Sequence, residues 1–209
     1  AGAIAGGNCA VIKPSEIATA TSALINKIIS KTFDPNYIKV MEGDGAIIVP
    51  GMMDEFRFDH IFYTGSLNVG RSIYQHAAKQ LITVTLELGG KSPAIVEKDA
   101  DIKVAARRIT VGKFLNAGQT CIAPDYVLVH ESRQEELIAE IKKNIKSFYA
   151  DPTGYEYGKI INEKRFHKLL SYLDDGSVIH GGENDVESLY IVPTLLSNIK
   201  SDASIMKEE

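Results

Sequence analysis

The sequence has no tryptophan, and only two of its 209 residues are cysteine, Cys9 and Cys121. Two thiols make no disulfide framework, so a reducing, intracellular setting is the simpler inference and a cytoplasmic location is expected. No basic stretch precedes the apolar start, so a secretory signal peptide is not expected of this sequence. No apolar run approaches the length needed to span a bilayer, and no membrane contact is expected of this segment. Neither sign of charge dominates: 23 basic residues stand against 27 acidic ones, net −4. A nucleic-acid partner or an anionic membrane surface is therefore not expected. The five histidines are scattered, none spaced at i+4 from another or from a cysteine, so no metal site is expected. The chain opens on "AGAIAGG" with no methionine and stops on "MKEE" without a capping signal. Both ends are expected to be cuts inside a longer protein.

What is present is ordinary globular material, 44% hydrophobic and 24% charged. The first ninety or so residues alternate. "NCAVI", "YIKVM", "HIFYT" and "TVTLEL" read as strands that begin near residues 9, 37, 60 and 83. That repeat is about what a minimal βα unit needs. "SEIATATSALINKIISKTF" reads as a helix capped by Ser15, with Ile17, Ala20, Thr21, Leu24 and Ile28 on one stripe. "LNVGRSIYQHAAKQL" reads as another. Between Gly43 and Phe58 the pair Pro50-Gly51 predicts a short or broken helix. Alternation of this kind implies an α/β fold with a parallel sheet, and in such sheets ligands gather at the carboxyl ends of the strands.

The second half predicts helices over "DIKVAARRITVGKFLNAG", "SRQEELIAEIKKNIKSFY" and "EKRFHKLLSYL". In the first, Ile102, Ala105, Ala106, Ile109 and Lys113 fall in phase. In the second, Leu137, Ile141, Ile145 and Phe148 fall in phase, and Ser132 with Glu135 fits a capping box. "YVLVH", "SVIHGG" and "LYIVPTLL" read as strands and "YADPTGYEYG" as a loop. A domain boundary is placed near Leu88.

Each early strand ends in glycine, charge or hydroxyl, the composition of a binding rim. Gly65-Ser66 opens a helix, where unpaired amides and the dipole favour phosphate, although a plain tight turn has the same spacing. Lys13 leaves a strand with Glu16 three residues on. The two could hold ribose hydroxyls, or be a surface lysine and a helix-dipole glutamate. Glu87 sits between Leu86 and Leu88. An apolar setting would raise its pKa as a general base needs, whereas a strand-end glutamate would sit in water. Cys121 follows Gly-Gln-Thr and is read either as a buried structural thiol or as a nucleophile. Cys9 is read as structural, in a buried strand.

Taken in order, "KPSE", "FYTGS", "TLELGGKSP" and "GQTCIAPDYV" closely resemble the NAD(P)-dependent aldehyde dehydrogenase superfamily. "RFDHIFYTGS", "RRITVGKFLNAGQTCIAPDY" and "KIINEKRFHKL" look most like its class-three branch, and the resemblance covers essentially the whole chain. It implies that residues 1–88 are part of a Rossmann-like NAD(P)-binding domain and 89–209 part of the catalytic domain. By resemblance Cys121 is the nucleophile and Glu87 the base that activates water. Lys13 and Glu16 match residues at the adenosine ribose. Gly43 matches the adenine side, and Gly65 and Ser66 the turn facing the pyrophosphate. Leu88 matches a residue whose backbone lies by the nicotinamide, and Glu209 matches the acid on the nicotinamide ribose. NAD or NADP is the implied cofactor, an aldehyde the substrate, and a homodimer the assembly. At Leu67 the family often has threonine, and its oxyanion-hole asparagine precedes this chain. The 209 residues alone are expected to turn over poorly. A competing expectation is a relative that keeps the fold as a binding or structural module, against which the retention of both Cys121 and Glu87 argues. A cysteine hydrolase would want a histidine beside the thiol, and none of the five lies in a rim motif.

Overall fold

The structure is a computed structural model that describes residues 1–149 and 157–208. The chain divides into two units, Ala1–Glu87 and Leu88–Glu209, each with an apolar core of its own.

The first unit runs α1 (Gly2–Ala5), β1 (Ala10–Ile12), α2 (Thr19–Thr32), β2 (Ile38–Val40), α3 (Gly45–Glu55), β3 (His60–Gly65), α4 (Leu67–Ala78) and β4 (Thr83–Leu88), whose last residue belongs to the second unit. The strands begin within a residue of where the sequence repeat puts them. β1 and β2 are parallel, with Ala10 opposite Ile38 and Ile12 opposite Val40, so α2 is the crossover that a parallel pair requires. β3 pairs with β4. Met53 of α3, Ala77 of α4 and Ile82 are buried together, with Val49, Phe58, Ile61 and Val84 packed around them. Gln80 Nε2 donates to the Met53 carbonyl at 2.7 Å, and His76 Nε2 lies 2.8 Å from Asp54 Oδ1, so polar contacts also join α3 to α4 and its C-terminal turn.

Three local expectations fail here. α2 starts at Thr19, not at Ser15, and its N-cap Ala18 offers no side chain to the helix. Ser15 instead accepts the Ile17 amide at 3.3 Å, and its carbonyl takes the Ser22 hydroxyl at 2.6 Å. Such a local turn competes with helix for the same backbone groups. The predicted apolar stripe of α2 is exposed at Ile17, Leu24 and Ile28. The covered face is the one bearing buried Ser22 and half-buried Ile25, Asn26 and Ile29. Finally, α3 is continuous through Pro50. Proline removes one bond to the preceding turn, but burial of Met53 one turn on holds the helix together, and Asp44 Oδ1 caps it by accepting the Ala46 amide at 2.8 Å.

The second unit continues with β5 (Ser92–Val96), α5 (Ile102–Phe114), β6 (Pro124–Val129), α6 (Gln134–Phe148), α7 (Glu163–Ser171), β7 (Ser177–His180), β8 (Asn184–Asp185), β9 (Tyr190–Ile191) and β10 (Leu195–Ser197). β5 and β6 are parallel, Pro93 opposite Tyr126 through Val96 opposite Val129, with a register slip at Ser92/Pro93. β5 escaped the sequence reading because Gly-Gly-Lys-Ser-Pro looks like a turn; proline is tolerated near a strand's start. α5 packs on α6. Leu137, Ile141 and Ile145 are buried as their register predicts, and Val96, Ile102, Ala106, Phe114, Tyr157 and Tyr190 complete the core. On α5 the fully covered residues are Ile102, Ala106, Thr110 and Phe114. Thr110 is tolerated there because its hydroxyl donates to the Ala106 carbonyl at 2.7 Å. The Ser132–Glu135 capping box does not form. Residues Glu131–Arg133 make a 3₁₀ turn in which His130 Nδ1 accepts the Ser132 amide, and Arg133 pairs with Glu136 instead. Pro193 splits "LYIVPTLL" into β9 and β10, which pair antiparallel with β8 and β7. Most of the loop expected over residues 149–158 lies outside the described residues. Among the described residues no helix is long and apolar enough to cross a membrane.

Candidate active site

α5 gives way at Leu115 to three consecutive residues with left-handed backbone: Asn116 (φ 53°, ψ 36°), Ala117 (φ 55°, ψ 30°) and Gly118 (φ 77°). Glycine is required at the third position twice over. Its φ is positive, and a Cβ there would stand 3.0 Å from the Lys113 carbonyl oxygen. Asparagine tolerates the conformation, but alanine pays about 1–2 kcal/mol for it. The turn persists because it is braced. The Gln119 amide donates to the Asn116 carbonyl at 3.1 Å, and Thr120 N to the Gly118 carbonyl at 2.9 Å. Ala123 N then donates to the Thr120 carbonyl at 2.9 Å, closing a β-turn with Cys121 and Ile122 at its centre. Ala123 is buried and β6 begins one residue later, whereas Cys121 is exposed. The loop after Leu88 runs past this turn: a Cβ on Gly90 would lie 3.5 Å from the Cys121 carbonyl oxygen.

A charged cluster ties down the surroundings. Lys91 forms an ion pair with Asp125, whose carboxylate side chain is only 9% exposed, and Lys113 Nζ lies 3.8 Å from its other oxygen. The Lys91 ammonium also donates to the carbonyls of Ile205, at 2.5 Å, and Glu208, at 3.2 Å. Arg165 Nη1 meets Glu208 Oε1 at 3.0 Å, and Asp175 accepts the Ile205 amide at 2.6 Å. The segment leading to Glu209 is thus anchored to the strand that follows Cys121. Glu209 itself lies outside the described residues. Sequence reasoning missed Lys91 and Asp125; the signal was one charge of each sign inside otherwise apolar and glycine-rich runs, "GGKSP" and "CIAPDYV".

In the first unit the parallel β1 and β2 bring their carboxyl ends to one edge. Lys13 and Glu16 follow β1 and pair with each other. The hydrogen bond from Lys13, with help from backbone amides, holds the Glu16 carboxyl below its ordinary range. Both lie against Gly45, where a Cβ would come within 3.2 Å of Lys13 Nζ and 3.7 Å of Glu16 Oε2. Gly43, two residues before, has φ 129°, and Asp44 between them caps α3. Lys13, Glu16 and the Gly43–Gly45 loop are therefore one cluster. Gly65 and Ser66 form the turn from β3 into α4, and the Ser66 hydroxyl caps the helix by accepting the Val69 amide at 3.4 Å.

Two expectations about exposure are corrected. Cys9 is not buried: β1 begins one residue after it, and the thiol is exposed. Exposure alone thus does not separate the two cysteines; the braced turn does. Glu87 is exposed within β4, because the pleat turns it away from the side shared by the half-buried Leu86 and Leu88 neighbours; the apolar setting read from those neighbours is not found.

The whole chain, residues 1–209, matches the model of the aldehyde dehydrogenase family. It is 48% identical to 4,4'-diaponeurosporen-aldehyde dehydrogenase of Staphylococcus aureus, over 100% of this chain and 46% of that protein. It is 44% identical to the mouse (Mus musculus) aldehyde dehydrogenase, dimeric NADP-preferring, with the same coverage, 100% and 46%. A solved substrate-bound state of Staphylococcus aureus AldH matches with a TM-score of 0.94 at 48% identity, over 100% of this chain and 46% of that one. The chain spans about half the length of these relatives. With Gly-Gln-Thr-Cys on a braced turn, Glu-Leu-Gly-Gly leaving β4 and a family match from the first residue to the last, the chain belongs to the aldehyde dehydrogenase family.

Proposed function

We propose that the protein carrying this chain oxidises an aldehyde to a carboxylic acid with NAD+ or NADP+, using Cys121 as nucleophile and Glu87 as general base. The observation that carries this reading is the exposed thiol of Cys121 at the centre of a braced turn, inside the family's Gly-Gln-Thr-Cys motif. The thiolate adds to the aldehyde carbon, forming a C–S bond and a thiohemiacetal. A bound NAD(P)+ would supply the hydride acceptor, and loss of hydride from this carbon would leave a thioester on Cys121. Glu87 takes a proton from water as it attacks the thioester. The C–S bond breaks, the acid leaves and the Cys121 thiolate is restored.

The residues present fit a dinucleotide. The Lys13–Glu16 pair beside the Gly43–Gly45 loop offers an acceptor and a donor for ribose hydroxyls. The start of α4, capped by Ser66, suits a pyrophosphate. Leu88 opens the loop that runs past Cys121, which supports its placement by the nicotinamide, and Glu209 is proposed for the ribose there. Glu16 alone would repel a 2′-phosphate, but its charge is matched by Lys13, so both cofactors are expected to serve. The mouse relative is named NADP-preferring and dimeric, and a homodimer is proposed for this protein as well.

The test is formation of reduced cofactor from a panel of aliphatic and aromatic aldehydes, with NAD+ and NADP+ in turn. Cys121→Ala is expected to abolish it. Glu87→Gln is expected to leave the first turnover and slow the steady state by about 10²–10⁴-fold. Retained turnover in Cys121→Ala overturns the assignment.

A further inference from the structure

Gln119 lies two residues before Cys121 and uses every polar atom of its side chain. Its Nε2 amide donates to the Asn116 carbonyl at 3.1 Å and to the Lys159 carbonyl at 2.9 Å. Its Oε1 accepts the Ile161 backbone amide at 3.0 Å. Because the partners are backbone groups of fixed polarity, the amide has only one orientation that satisfies all three. One partner is inside the left-handed turn. The other two are some forty positions on, in a segment that is itself pinned: Ile160 is buried and its amide donates to the Leu189 carbonyl at 2.9 Å. Gly158 closes the same contact, since a Cβ there would stand 3.5 Å from the Asn116 carbonyl carbon and 3.6 Å from the Ala117 nitrogen. From the other side, Asn116 Nδ2 donates to the Gln119 carbonyl at 3.2 Å.

We propose that Gln119 is a positioning residue: its side-chain amide clamps the Asn116–Gly118 turn to the 158–161 segment and thereby sets where the Cys121 thiol is presented. The inference rests on the reading of Cys121 as the nucleophile. Three consecutive left-handed residues, one of them alanine, do not hold their shape unaided. The bonds within the turn run only between its own neighbours. Among the described residues, Gln119 fastens the turn to a distant segment of the same unit that is itself held by the buried Ile160. Nothing in Gln119 touches a reacting atom; it acts through the backbone on either side of Thr120.

Two variants separate the functions of the amide. Gln119→Met removes all three bonds at nearly constant length. Gln119→Glu keeps the acceptor for Ile161 and sets a carboxylate against the carbonyls of Asn116 and Lys159. Both lie outside the buried core, so folding can be checked by circular dichroism and thermal melting. The probes are backbone hydrogen exchange at Thr120, Ala123 and Ile161, and iodoacetamide labelling of Cys121 relative to Cys9 in the same molecule, followed by peptide mass across neutral and alkaline pH. In Gln119→Met all three amides, and in Gln119→Glu those of Thr120 and Ala123, should exchange faster while core amides of α5 and α6 stay protected. The Cys121:Cys9 labelling ratio should fall by up to about 10²-fold, the loss that a 1 Å misplacement of a reacting group can cause, with a changed pH profile. Unchanged exchange at those amides, or an unchanged ratio alongside faster exchange, overturns the clamp. A wild-type ratio near one overturns the nucleophile reading instead, and the exchange data then still decide whether the clamp exists.

Discussion

Ala117 is the residue that shows most directly how the candidate nucleophile is held. Its φ of 55° costs about 1–2 kcal/mol, and glycine would remove that strain while adding about 0.5–1 kcal/mol of unfolded-state entropy. Ala117→Gly is therefore expected to be neutral or to stabilise the second unit by up to about 1.5 kcal/mol. Gly118→Ala is expected to destabilise it by about 1–2 kcal/mol or more, since a Cβ there also meets the Lys113 carbonyl at 3.0 Å. Urea midpoints of the two variants check this, and the opposite order would contradict the geometry. At this scale Cys121 was legible because its neighbours Gly118, Gln119 and Thr120 carry a recognisable pattern. The exposure of Cys9 and Glu87 was not. Both sit beside apolar neighbours in sequence, and only the strand start at Ala10 and the pleat of β4 decide which way they point. Gln119 was legible as a polar residue near the thiol but not as a clamp, because two of its partners, at Lys159 and Ile161, are distant in sequence and no local periodicity announces them.

Among the elements, strands were read better than helix ends. Four strand starts in the first unit follow from runs of branched residues bounded by turn formers. The start of α2 does not, because Ser15 satisfies a loop amide rather than a helical one. In the second unit the ends of α5 and α6 meet through aromatic rings: Phe114 and Tyr149 at 5.9 Å, Tyr149 and Tyr157 at 5.3 Å, and Tyr157 with Tyr190 of β9 at 5.7 Å. Tyr157 is buried there, and burial first, then Tyr190 and Tyr149, push its hydroxyl well above the ordinary value of 10.0. The unfolded chain therefore ionises this group before the folded one does. Its contribution to stability is complete below pH 10.0 and declines as pH rises above that value towards the folded pKa. Denaturant titrations at stepped alkaline pH should show the second unit losing stability above that point, and Tyr157→Phe should flatten the loss. Tyr149 and Tyr172 are shifted the same way, so some slope should survive. An unaltered profile in Tyr157→Phe would show that the cluster is not what ionisation disrupts.

For the molecule as a whole, the family was legible because its motifs occur in order from Lys13 to the last residues, and the match covers residues 1–209. The α/β class followed from alternation, and the parallel pairs β1–β2 and β5–β6 bear it out. What alternation does not encode is which faces are covered. Large apolar side chains are exposed in both units, among them Ile47, Phe56 and Phe62 in the first and Ile95, Leu115 and Ile122 in the second. Such surface is typical of faces that contact other protein, and the chain spans 46% of its relatives' length. Cys121 as the acyl carrier leaves a mass signature on one peptide. The most direct measurement is peptide mass spectrometry of the protein acid-quenched during turnover with an aldehyde and NAD(P)+, in the Glu87→Gln background where hydrolysis is slow. Cys121 as the acyl carrier predicts an acyl mass on the peptide containing Cys121 and none on the peptide containing Cys9. Reduced cofactor accumulating while the Cys121 peptide stays unmodified would contradict it.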